Sequence, residues 1–146
     1  MTIVETATAI RDPRDFLDPE VWDRQIRLLI RDHPWDTKMA ERCFGQAVAY
    51  LITAMEKYSQ HLGLGCGPLI DIAVHGFILD TVNYREFCHR HFGAFLEHTP
   101  EIEFKYDGSV MKTAHVIDNN GFGVDWPLWE RDGAKCTPCY PGSDCH

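Results

Sequence analysis

The sequence lacks the features that direct a chain into a membrane or onto nucleic acid. Its N-terminus has no basic segment followed by a long apolar run, so it predicts no signal peptide. The longest strongly apolar stretch, at 68–79, contains Asp71 and His75 and is too short to cross a bilayer. Lys and Arg occur in no run longer than a pair, and the formal net charge is −8. These absences predict a cytoplasmic protein that binds neither nucleic acid nor membrane.

The composition is that of one ordinary globular domain. The chain has 146 residues, of which 45% are hydrophobic and 25% charged, and this balance excludes wholesale disorder. It also contains six cysteines and eight histidines. In a reducing compartment thiols stay unpaired unless they are catalytic or bound to metal. The cysteines therefore indicate metal or thiol chemistry rather than a disulfide framework.

Apolar residues recur at helical spacing along most of the chain and predict a mainly α fold, a compact bundle of about four to five helices. We expect a loose N-terminal arm at 1–17, a helical domain at 18–132 and a Cys-rich tail at 133–146. The weak alternation at 102–106, followed by Asp107-Gly108, predicts a short strand or hairpin. From residue 119 on we expect irregular structure. The predicted helices cover 18–33, 36–62, 68–80, 80–98 and 111–118.

Asp71 and His75 stand out because they lie within the most apolar predicted helix. Residues four apart share one face of a helix, so the two side chains can meet. Polar groups in such a helix cost free energy unless each finds a partner. A carboxylate that holds one ring nitrogen of a histidine commonly orients the other nitrogen toward a metal or a substrate. The alternative is a hydrogen bond that merely orients this helix in the core.

The next predicted helix carries further ionisable groups on one face. At about 100° per residue, this face contains two aromatic residues and four candidate functional residues. Cys88 and His91 are spaced to form a nucleophile–base pair, although buried cysteines are more often simple hydrophobic residues. His98 would face the same interior as His75, and we expect both to bind a metal ion. The candidates on this face are Tyr84, Cys88, His91 and His98.

The tail carries the clearest metal-binding pattern. Cys136 and Cys139 are spaced to chelate one ion, and Cys145 and His146 can complete a set of four ligands. The spacing does not match a standard zinc finger, so His75 or His98 can also supply one of the ligands. Thiol–disulfide chemistry and unliganded cysteines are the alternatives. Zinc is favoured over iron as the cofactor.

A motif in the centre of the chain comprises residues 70–75, Asp80-Thr81, Tyr84, Phe87-Cys88, Phe92-Gly93 and His98-Thr99-Pro100. It resembles the helical core of the glycine-rich domain-containing protein family, which includes short bacterial single-domain members. Val74 stands where that family usually has Trp, and Phe77 stands where many members have a second histidine. The glycine-rich tail is absent, so the nucleic-acid role proposed for the family is not carried over. The resemblance implies that Asp71, His75, Tyr84, Cys88 and His98 act as a unit.

Three functions follow from these patterns. The leading hypothesis is a metal-binding helical protein, a tailoring or accessory enzyme for a small molecule or peptide, with Asp71, His75, Tyr84, Cys88 and His91 as candidate catalytic residues. The second is a non-catalytic interaction module with a structural zinc ion. The third is a thiol redox or acceptor protein that uses its C-terminal cysteines.

Overall fold

A computed structural model describes residues 9–104 and 106–133. Over these ranges the chain forms six α-helices and no β-strand, which confirms the predicted helical bundle with at least one helix more than expected. None of the described helices has the length and apolar character needed to cross a membrane. Short 3-10 segments lie at Pro13–Phe16 and Tyr58–Gln60. The helices are α1 (Pro19–Asp32), α2 (Thr37–Glu56), α3 (Pro68–Leu79), α4 (Thr81–Phe92), α5 (Ser109–Asn119) and α6 (Trp126–Gly133).

Helix α2 lies at the centre of the bundle because it is buried around most of its circumference. Every residue from 43 to 53 is buried, and α1, α3, α4 and α5 all pack against this helix. The Asp36 carboxylate caps its start by accepting a hydrogen bond from the Met39 N–H at 2.8 Å. The helix ends at Glu56 rather than near residue 62. The chain continues in the 3-10 segment Tyr58–Gln60, and His61 then takes a left-handed conformation with a φ of 50°.

Helix α3 begins at Pro68, as the sequence predicts, but its N-terminus is capped from a distance. Gly67 has no side chain to satisfy the first N–H groups of the helix. The Asp132 carboxylate of α6 accepts hydrogen bonds from the Leu69 and Ile70 N–H groups at 3.0 and 3.1 Å. A Cβ at position 67 would overlap the Asp132 side chain, so glycine permits this approach. The end of α6 thereby fixes the first turn of α3.

Helix α4 ends at Phe92, so the predicted continuation to residue 98 is wrong. Gly93 takes a left-handed conformation with a φ of 74°, and its N–H donates to the carbonyls of Cys88 and His89. The segment after Gly93 then runs outside the helix. The buried hydroxyl of Tyr84 donates to the Leu96 carbonyl at 2.7 Å and holds this segment on the bundle.

The two remaining predictions of local structure are also corrected. Residues 126–133 form α6 rather than an irregular segment, because Trp129 is fully buried and its indole N–H donates to Gln46 at 2.8 Å. The predicted strand or hairpin at 102–106 does not form where that segment is described. Ile102 is fully exposed, so the apolar residues of the alternating pattern do not form a buried face.

The described part of the predicted N-terminal arm packs on the bundle. The Arg11 N–H donates to the Gly121 carbonyl at 2.8 Å, and the Arg11 guanidinium donates to both carboxylate oxygens of Glu56. Leu17 is buried in the core. Residues 11–17 are therefore part of the folded domain.

Candidate metal centre

Three side chains converge on one point beside α3. Asp71 and His75 lie one turn apart on this helix, and His98 reaches them from the segment after α4. The Nε2 atoms of the two histidines are 2.9 Å apart. The Asp71 carboxylate is 3.2 Å from each of them, through Oδ2 to His75 and through Oδ1 to His98. This cluster can hold a metal ion.

With the Asp71 carboxylate ionised, the three donor groups cannot all satisfy one another by hydrogen bonds. Each ring nitrogen offers either an N–H or a lone pair. When only one Nε2 carries a proton, the other Nε2 presents a lone pair to a carboxylate oxygen 3.2 Å away. When both carry protons, two N–H groups face each other at 2.9 Å. A cation at the shared point attracts all three groups and removes the conflict.

The spacing of the donor atoms matches that of ligands on one ion. Zinc binds histidine nitrogen at about 2.0–2.1 Å and carboxylate oxygen at about 2.0–2.2 Å. Two such ligands at angles between about 90° and about 109° lie about 2.8–3.4 Å apart. The observed separations of 2.9 and 3.2 Å fall within that range.

The centre lies at the edge of the core, with the carboxylate innermost. The side-chain exposure is 9% for Asp71, 17% for His98 and 38% for His75. Across the described ranges no Lys or Arg forms an ion pair with Asp71. The Cys66 thiol donates to Asp71 Oδ1 at 3.7 Å. Burial, reinforced by the charge of Asp71, raises the pKa of this thiol well above its ordinary value, so it stays protonated and donates.

A cavity of about 300 Å³ opens next to the centre. Asp71 and His98 line it, whereas His75 is absent from its described lining. The cavity therefore lies on the Asp71–His98 side of the cluster. Its other lining residues include Tyr50, Cys66, Glu97, Glu101 and Phe104.

The other candidates from α4 lie apart from this cluster. Tyr84 holds Leu96 and thereby positions the segment that carries His98, and burial raises the pKa of its hydroxyl. Cys88 is fully buried in the core. His91 Nε2 makes a 2.8 Å hydrogen bond with the Phe16 carbonyl. None of these three side chains belongs to the group of donors that can hold an ion.

The role expected for Asp71 changes with the structure. The sequence predicts that this carboxylate holds the far ring nitrogen of His75 and leaves the other nitrogen free. Instead the same atom, His75 Nε2, faces both Asp71 and His98. Asp71 thus lies beside the histidines as a third donor. The contact of Cys66 was missed, although a cysteine directly before the first turn of α3, five residues from Asp71, is a usable signal.

The predicted ligands of the tail lie outside the described residues. Cys136, Cys139, Cys145 and His146 belong to the segment 134–146. Their participation in metal or thiol chemistry stays a prediction from the sequence.

Comparisons with known proteins identify a family. Neither the curated proteins nor the solved structures give a match. A family model described as UCP032817-like matches residues 23–128, from within α1 to the first turn of α6, and this range includes Asp71, His75 and His98. The predicted resemblance to glycine-rich domain-containing proteins is therefore wrong. It depended on a short motif between residues 70 and 100, whereas the family model matches a much longer part of the chain. The chain belongs to the UCP032817-like family.

Proposed function

We propose that this protein is a metalloenzyme in which Asp71, His75 and His98 bind one divalent ion, zinc in preference to iron, for chemistry on a small molecule. The observation that carries the proposal is the convergence of three donor groups at 2.9–3.2 Å. Imidazole and carboxylate are the ligand types that zinc accepts in catalytic sites.

The number of donors favours a catalytic ion over a structural one. Structural zinc sites are closed by four protein ligands, whereas catalytic sites use three and leave a position for water or substrate. The described cluster supplies three donors, and the adjacent cavity reaches Asp71 and His98. An ion with a free position there can acidify a bound water or polarise a carbonyl group.

The number of further ligands that each ion requires favours zinc over iron. Two histidines and one carboxylate also form the iron(II) site of non-haem oxygenases, which keeps several positions open on one side. The described cluster supplies three donors, so an iron ion would need several further ligands. Four-coordinate zinc requires only one.

Neighbouring side chains have supporting roles in this proposal. The Cys66 thiol donates to Asp71 Oδ1 and limits the rotation of the carboxylate. Tyr84 fixes Leu96 and so sets the path of the chain to His98. We assign both as positioning residues, because neither belongs to the group of donors that can hold the ion.

Zinc titration of the metal-free full-length protein tests the proposal. We expect the wild type to bind one equivalent, and His75→Ala and His98→Ala to bind at least about 100-fold more weakly, because each removes a ligand. A competing chromogenic chelator reports the affinity. His89→Ala is the matched control, since His89 is exposed on α4 away from the cluster. Equal affinity in all four proteins would overturn the proposal.

A further inference from the structure

We infer that the cavity beside Asp71 and His98 is the substrate pocket of this centre and that it selects a small, positively charged molecule such as an amine. The inference rests on the proposed function. Two observations support the selection of a cation: the charge and chemical character of the residues that line the cavity, and their position beside the metal-binding side chains Asp71 and His98.

The cavity lies where a substrate would meet an open side of the ion. Two of the three donors, Asp71 and His98, contribute to its wall. Its volume of about 300 Å³ stands at the lower end of the range of about 300–1,000 Å³ for small-molecule sites. The space therefore fits a small molecule and excludes a folded partner.

The charge of the lining favours a cation. Glu97 and Glu101 join Asp71 around the cavity, and its described lining contains no Lys or Arg. The single charge of Asp71 offsets half the charge of a divalent ion. The two glutamates then give the pocket a net negative charge, which attracts a cationic ligand and repels an anionic one.

The remaining lining suits the body of an organic cation. Tyr50 and Phe104 bring aromatic rings to the cavity, and Leu64 and Val110 bring aliphatic groups. Aromatic rings attract cations, and ammonium groups are a common partner of such rings in binding sites. The Tyr50 hydroxyl makes only a long hydrogen bond of 3.5 Å to the Leu64 carbonyl, so it can bond with a ligand.

Two probes of equal shape and different charge test this selectivity. Choline and 3,3-dimethylbutan-1-ol carry charges of about +1 and 0 at neutral pH and share the same hydroxyl group, and the quaternary ammonium of choline cannot coordinate a metal. Calorimetric titration into the zinc-loaded protein measures each affinity, and elemental analysis of the same samples measures the ion. We expect choline to bind at least about tenfold more tightly than the neutral alcohol.

Charge-neutralising variants identify the residues responsible for the preference for choline. Glu97→Gln and Glu101→Gln should each weaken choline binding about threefold and leave binding of the alcohol unchanged, because only a charge is removed. Glu103→Gln is the matched control, since Glu103 is exposed nearby and does not line the cavity. It should change choline binding by less than the scatter of the titration.

The outcomes separate this inference from the proposed function. A bound ion together with equal affinity for the two probes, or with a preference for the neutral alcohol, would overturn the pocket assignment and leave the metal centre standing. Equal weakening by Glu97→Gln, Glu101→Gln and Glu103→Gln would also overturn it, because a general field would then explain the preference. Failure to bind an ion would overturn both.

Discussion

Two carboxylates near the first turn of α3 are almost equally buried but have different hydrogen-bonding partners. Measured over the whole residue, main chain included, Asp132 is 5% exposed and Asp71 is 6% exposed. Asp132 accepts hydrogen bonds from two backbone N–H groups, at Leu69 and Ile70. Asp71 faces two imidazole nitrogens at 3.2 Å and a thiol.

The difference distinguishes a structural carboxylate from a functional one. The partners of Asp132 are fixed donors that the start of any helix must satisfy, so this carboxylate completes the fold. The partners of Asp71 are lone-pair donors to metals, and they leave an electrostatic conflict that a cation resolves. A buried charge whose partners do not satisfy it is costly in a fold and is therefore a marker of a binding site.

The largest expected difference between the two carboxylates is in metal affinity. Asp71→Asn should weaken zinc binding by at least about 100-fold, because it replaces an anionic ligand by a neutral amide. Asp132→Asn should retain one equivalent with an affinity within about fivefold of the wild type, because its contacts are to the backbone. Competition with a chromogenic chelator gives both values. A larger loss of zinc affinity in Asp132→Asn than in Asp71→Asn would contradict the assignment of Asp71 as the metal ligand.

A smaller difference is expected in stability. Asp132→Ala should lower the free energy of unfolding by about 2 kcal/mol, because it removes the cap of α3 and leaves the N–H groups of Leu69 and Ile70 without this partner. Urea unfolding followed by circular dichroism measures this, with Asp118→Ala, an exposed position on α5, as the control. A loss no greater than that of the control would contradict the capping role.

The smallest effect is a pH dependence of the Asp132 contribution. Burial is the largest influence on this carboxyl and raises its pKa, although hydrogen bonds from Ile70 and Leu69 oppose the shift. A raised folded-state pKa means that the stability contributed is complete below the unfolded pKa of about 4 and is lost as the pH rises through the folded pKa. The stability advantage of the wild type over Asp132→Asn should therefore shrink between about pH 4 and neutrality. Urea unfolding at several pH values checks this, and an advantage that grows with pH would contradict it.

The same comparison shows what the sequence could predict. Asp71 and His75 lie four residues apart in one apolar helix, so local spacing was enough to bring them together. His98 was expected at the same interior, but on a helical face. Gly93 ends α4, and the Tyr84 hydrogen bond to Leu96 holds the path that the chain takes instead. The spacing of residues within α4 does not predict the course of the chain after the helix ends.

The role of Asp132 could not be predicted because it depends on a contact between distant parts of the chain. More than sixty residues separate it from Leu69 and Ile70. The sequence shows that Gly67, at the start of α3, has no side chain that could accept hydrogen bonds from the first N–H groups of the helix. It does not show which residue accepts them instead. The lateral approach of Asp71 to His75 Nε2 was equally inaccessible, because spacing along a helix does not specify which ring nitrogen faces a carboxylate.

Native mass spectrometry with elemental analysis of the full-length, tag-free protein tests the central claim most directly. It compares the wild type with a His75→Ala/His98→Ala variant and with a tail variant in which Cys136, Cys139 and Cys145 are changed to Ser and His146 to Ala. We predict one ion per chain in the wild type and in the tail variant, and none in the double histidine variant. An ion retained by the double histidine variant and lost from the tail variant would contradict a metal centre at Asp71, His75 and His98.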